Sequence, residues 1–215
     1  MNARSIRFCF VLILLAGATV PLAAQYKVEP ASDPPAELEP AIRASLAKEG
    51  FKIVSSDGKV ISEIWLRSTM PSGPKVNEGS VTMPTIPHGS VLGALRFPST
   101  GADRRGQTIK PGVYTLRFSY YPQNGDHQGV APQRDFLIMT PAGEDKDLNA
   151  APNFDALMVM SRKASGTPHP AVLSFWMQET DFKPGLHKEG DQDWILQTKI
   201  GDTQVGIILI GRAEG

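Results

Sequence analysis

The sequence predicts a mainly β fold, an antiparallel β-sandwich or barrel with one or two short flanking helices. Three observations carry this. Over residues 113–121, Tyr114, Leu116, Phe118 and Tyr120 alternate with Thr115, Arg117 and Ser119, the period-two pattern of a strand with one buried face. About seven apolar stretches of strand length are separated by turn residues, drawn from 20 glycines and 18 prolines in 215 residues. Helical spacing occurs in only two short segments, whereas a doubly wound α/β fold needs a full-length helix between most of its strands.

The chain opens with the pattern of an export signal. Arg4 and Arg7 precede an apolar run over 8–20, and Pro21-Leu22-Ala23-Ala24 brings small residues to a cleavage point before Gln25. Residues 8–24 are interrupted by Gly17 and Pro21 and fall short of the ~20 apolar residues of a membrane span. The expectation is a signal peptide over 1–24, an extended arm over 25–34 and one domain over 35–215, with no membrane span after leader cleavage. The protein is then exported, periplasmic or extracellular, away from ATP, nicotinamide cofactors and the genome. The only cysteine, Cys9, lies in the leader, so the mature chain has no disulfide, thiolate nucleophile or cysteine-bound metal. Without Arg4 and Arg7, 20 of the 22 basic residues face 22 acidic ones, a net charge of −2. That balance offers no footprint for nucleic acid.

Each element has a local reason. Residues 26–35 carry three prolines and read as an extended arm. Asp33 is placed to cap a helix over 35–49, in which Leu38, Ile42 and Leu46 recur every four residues and Gly50 ends the run, with Pro40 limiting its regular part to 40–49. Phe51, Ile53 and the Asp57-Gly58 turn lead into an apolar stretch over 60–66, a strand pair. Residues 70–90 are crowded with proline and glycine and form a loop or covering strap. Strands are predicted over 91–97, 113–121, 135–140 and 172–177. Two more, 194–199 and 205–211, are joined through Gly201-Asp202. Asn153 is placed to cap a second helix over 154–163.

Pro111-Gly112 suits a tight turn, and Tyr114 can return its hydroxyl to the turn's backbone, as in the tyrosine corner of β-sandwiches. The stretch 106–116, with Gly106, Ile109, Pro111, Tyr114 and Leu116, resembles a hairpin of a family of exported bacterial β-sandwich domains of unknown function. It is similar as well to the prealbumin-like modules of secreted proteins. One glycine follows Pro111 where the first family often has Ala-Gly. The resemblance spans about a dozen residues. It implies an immunoglobulin- or prealbumin-like sandwich and brings no catalytic residue with it.

Three groups of residues are candidates for chemistry. The first is a polar loop after the clearest strand, in which Asp126 can orient the imidazole of His127 and Arg134, beside Asp135, can clamp a carboxylate or a sugar hydroxyl. The second is Glu189, Asp191 and Asp193, whose i, i+2, i+4 spacing opens like a calcium loop. Trp194 then occupies the position where that loop wants glycine, and Ile200 the one where it wants glutamate. The third is the set of tryptophans, Trp65, Trp176 and Trp194, which stack on sugar rings if exposed and pack the core if not. His88, His127, His169 and His187 show no paired metal-ligand spacing, and no Gly-x-Ser-x-Gly elbow occurs.

The function expected on these grounds is that of an exported, non-catalytic binding or envelope-associated domain without a cofactor. Its partner is a glycan, an envelope component or another protein. The alternative is a small extracytoplasmic hydrolase built on Asp126, His127 and Arg134.

Overall fold

The computed structural model describes residues 25–121 and 134–213. Twelve strands are found there: β1 (Tyr26–Ala31), β2 (Gly50–Ser55), β3 (Val60–Leu66), β4 (Val91–Phe97), β5 (Gly101–Ala102), β6 (Thr108–Ile109), β7 (Gly112–Tyr120), β8 (Asp135–Pro141), β9 (Val172–Met177), β10 (Gly185–Glu189), β11 (Asp193–Ile200) and β12 (Thr203–Ile210). There are two helices, α1 (Pro40–Ser45) and α2 (Phe154–Ser165). β5 and β6 make a small hairpin of their own. The other ten strands form one antiparallel sheet in the order β1-β2-β3-β4-β7-β8-β9-β12-β11-β10.

This sheet nearly closes into a barrel. A sandwich divides its strands between two sheets, whereas here every ladder continues into the next. The C-terminal strands decide this: β12 returns from the β10–β11 hairpin and pairs with β9, so the last three strands extend the sheet begun by the first. β1 and β10 are its two ends and lie alongside each other. Across the seam, the rings of Tyr26 and Trp194 meet edge to face at 5.2 Å. Pro30 and the exposed Lys27–Glu29 ion pair keep β1 from recruiting a further strand.

Side chains fill the interior. Leu66, Leu95, Leu116, Phe118, Leu137, Phe175, Leu196 and Ile207 belong to one cluster drawn from strands around the whole barrel. The strap over 70–90 adds to it, because Met83 and Ile86 insert into the same core. On the outside, Leu38, Ile42 and Leu46 cover Trp65, Val91 and Ala94. Gly50 is required beneath Trp65, since a Cβ there would stand 2.5 Å from the indole Cδ1. Leu157 and Met158 of α2 cover Phe136, Ile138 and Val172.

The local expectations mostly have direct counterparts. Asn153 Oδ1 accepts from the Ala156 amide at 2.9 Å, and Gly166, left-handed at φ 65°, ends α2. The Tyr114 hydroxyl donates to the Lys110 carbonyl at 2.8 Å. α1 departs from expectation: it spans six residues, starts after Glu39, and has no side-chain cap from Asp33. Pro34, Pro35 and Pro40 hold the preceding chain in turns. The proline-bearing arm pairs along β2 as a true edge strand. The signal peptide expected over 1–24 lies outside the described residues.

Candidate functional site

The outer faces of four neighbouring strands are covered. α1 lies on β3 and β4, α2 on β8, and the chain over 142–152 on β7. The β7 cover changes the meaning of that strand's polar alternation, because Thr115, Arg117 and Ser119 are as buried as the apolar residues between them. Arg117 donates to Asp145 Oδ2 at 2.7 Å and Oδ1 at 2.6 Å, and to the carbonyls of Gly89, Ala150 and Asp147 at 2.5, 2.9 and 2.6 Å. All five guanidinium donors are thereby used. Asp145 accepts in addition from the Thr115 hydroxyl at 2.5 Å.

His88 continues this row. Its Nδ1 donates to the Pro152 carbonyl at 3.2 Å, which leaves Nε2 to accept from the Ser119 hydroxyl at 2.9 Å. Burial holds its pKa below the usual imidazole value, and the Pro152 carbonyl opposes that shift. A serine–histidine pair of this kind is the core of a nucleophilic dyad. Ser119 is fully buried, however, so the pair fastens the strap and the 142–152 chain to β7.

The outer face of β9, β12 and β11 carries a groove of about 460 Å³. Alternation along these strands sends Phe175 and Ile207 inward and leaves Trp176, Ile208, Ile195 and Gln197 on the groove side. The half-buried indole of Trp176 lies against Gly206, where a Cβ would come within 2.5 Å of its Cε2 and Cζ2. Its Nε1 donates to Gln178 Oε1 at 2.8 Å, and the Gln178 amide in turn donates to the Thr180 carbonyl at 2.7 Å. The ring is therefore fixed in place. Gln197 accepts from the Lys183 amide at 2.7 Å through Oε1, and its amide nitrogen has no partner among the described residues. At the other end, Arg104 holds Asp193 through two bonds of 2.5 and 3.0 Å. Arg104 is nine-tenths buried, and its Nε has no partner among the described residues. Glu189 lines the same groove and makes no ion pair within 4 Å among the described residues.

The structure distributes the candidates read from the sequence. Asp126 and His127 lie outside the described residues. Arg134 donates to the Tyr121 carbonyl at 2.8 Å, to the Gly79 carbonyl at 2.7 Å and to Glu78 at 3.1 Å, and stands over the Tyr120 ring. It ties the strap to the end of β7. Asp135 turns elsewhere: Oδ2 accepts from the Thr82 amide at 2.6 Å, while the fully buried Oδ1 has no partner among the described residues. Burial pushes its carboxyl up from the ordinary value. Of the acidic trio, Asp193 is engaged by Arg104, Glu189 lines the groove and Asp191 is exposed in the turn between them. Among the described residues no three histidine, aspartate, glutamate or cysteine side chains gather as a metal site. Of the tryptophans, Trp65 is wholly buried and donates to the Ser32 carbonyl at 2.7 Å, whereas Trp176 and Trp194 keep part of their surface.

Arg104, Gln178 and Gln197 had not been singled out from the sequence. They come from segments far apart in the chain, and no motif joins them. The one available signal was Gly206 inside an apolar strand, since such a glycine marks the close approach of another group.

The fold defines the protein as a nearly closed, ten-stranded antiparallel β-barrel with a polar-rimmed groove on its outer wall. No protein-family model matches the chain, and no curated protein or solved structure is significantly similar to it.

Proposed function

We propose that this protein is an exported, non-catalytic binding domain that engages a component of the cell envelope through the β9–β12–β11 groove. The observation that carries the reading is Trp176, an indole held against Gly206 and tied to Gln178 yet only half-buried. A ring kept rigid along the wall of an open groove is prepared for a ligand. The signal-peptide pattern over 1–24 supports export.

Two measurements test this. Cell fractionation with N-terminal sequencing is expected to find a mature chain starting at Gln25 outside the cytoplasm, and an intact cytoplasmic chain would overturn the export reading. Thermal unfolding of the mature protein in the presence of solubilised envelope fractions is expected to show a rise in Tm, because a ligand that binds only the folded state stabilises it. The rise should disappear in Trp176→Ala. A rise that persists undiminished in that variant would place the ligand elsewhere.

A further inference from the structure

We propose that the groove recognises an uncharged oligosaccharide, with one ring stacked on Trp176 and met by Gln197 and a further part of the sugar chain reaching Glu189 at the groove's other end; this rests on the groove being the ligand site. The choice of ligand follows from what the groove offers and what it withholds. A phosphate or sulfate group needs a positive centre, but the guanidinium in the groove, Arg104, is already neutralised by two bonds to Asp193. The exposed carboxylate of Glu189 disfavours acidic sugars as well. A lipid chain or an apolar peptide needs apolar floor to cover. Ile195 and Ile208 are already 4% and 7% exposed, and half-buried Met177 packs against the barrel core, so only a small apolar area remains to bury.

What remains is the half-buried Trp176 ring, a donor beside it and an acceptor further along the groove. A pyranose matches that set, since its C–H face is apolar and its hydroxyls project from the edge as donors and acceptors at once. The unused amide nitrogen of Gln197 supplies a donor and Glu189 supplies an acceptor. Rigidity serves the same end. The contact between Trp176 and Gly206 and the bond to Gln178 fix the ring before the ligand arrives, which lowers the ordering cost of binding.

The test uses the mature protein with cellohexaose and chitohexaose, two β-1,4-linked neutral hexasaccharides without and with N-acetyl groups. Position-resolved oxidation of tryptophan by N-bromosuccinimide, read by mass spectrometry, is expected to show Trp176 protected by at least one of them. Trp65, buried, and Trp194, outside the groove, serve as internal controls. Titration by calorimetry is expected to lose about tenfold in affinity in Trp176→Ala and a smaller amount in Gln197→Ala, with an unchanged circular dichroism spectrum. Should Trp176→Ala fail to fold, Gln197→Ala and the protection experiment on the unaltered protein still decide. If neither sugar protects Trp176 while a solubilised envelope fraction does, the saccharide assignment falls and the groove stands. If nothing protects it, both fall.

Discussion

Arg117 shows how a single residue can govern a large part of this molecule. A guanidinium with no exposed surface and five bonds joins β7 to three carbonyls of covering chain and to Asp145, itself 2% exposed. Removing one charge of such a pair strands the other without solvent. Arg117→Met is therefore expected to cost about 3–5 kcal/mol, read as a lower urea midpoint. Replacing Asp145 with leucine in the same chain should recover part of the loss, because the stranded carboxylate is then gone.

His88 yields a prediction in pH at the same scale. Its folded pKa lies below the unfolded value near 6.5, so the unfolded chain binds more protons as the solution is acidified. The stability linked to His88 is present above pH 6.5 and is lost as pH falls toward the depressed folded value. Asp103 and Asp135 work the other way. Burial raises both, so their contribution is largest below pH 3.8 and is lost as pH rises toward their folded values. Between pH 7.5 and 5.0 the urea midpoint of His88→Gln should thus fall less than that of the unaltered protein. An equal fall in both would remove His88 from the account.

Among the elements, the start of α2 and the corner before β7 each carry one side-chain bond that can be removed singly. Loss of the Asn153 cap in Asn153→Ala is expected to cost about 1 kcal/mol. Tyr114→Phe, which removes the bond to Lys110, should cost about 0.5–1.5 kcal/mol. Both are within reach of urea titration. Gly50→Ala should be worse than either, since the new Cβ meets the Ile64 carbonyl at 2.6 Å as well as the Trp65 ring, and neither can withdraw. An Asn153→Ala variant as stable as the parent would mean that the packing of Leu157 and Met158, rather than the cap, sets where α2 begins.

For the whole molecule, the barrel's weakness is its seam. β1 and β10 each pair on one side only, while β7 and β8 sit mid-sheet with cover on their outer faces. Amide hydrogen exchange is expected to be fastest in β1 and β10 and slowest in β7 and β8. Uniform protection around the barrel would mean that the Tyr26–Trp194 contact seals the seam as firmly as a ladder does.

How much of this was legible in the sequence depends on the range of the cause. Helix α2, the hairpin over 50–66, strand β4 and the corner at Tyr114 are built by neighbours in the chain, through caps, turn residues and alternation, and all could be read from it. Short strands such as β10 could not, because Gly185–Glu189 is held in its conformation by pairing with β11 rather than by its own residues. The burial of Arg117 was equally hidden, since alternation marks which face of a strand is polar and says nothing about what later covers it. The candidate site was legible only in Trp176 and in the acidic residues of the β10–β11 hairpin. The local sequence by itself determined a mainly antiparallel β protein with short helices, since period and turn chemistry act within a few residues. Only the tertiary structure decided that the strands make one nearly closed barrel and that Trp176, Gln197 and Arg104 share a groove. Those outcomes depend on β12 returning to β9, a contact between distant segments that no local pattern encodes.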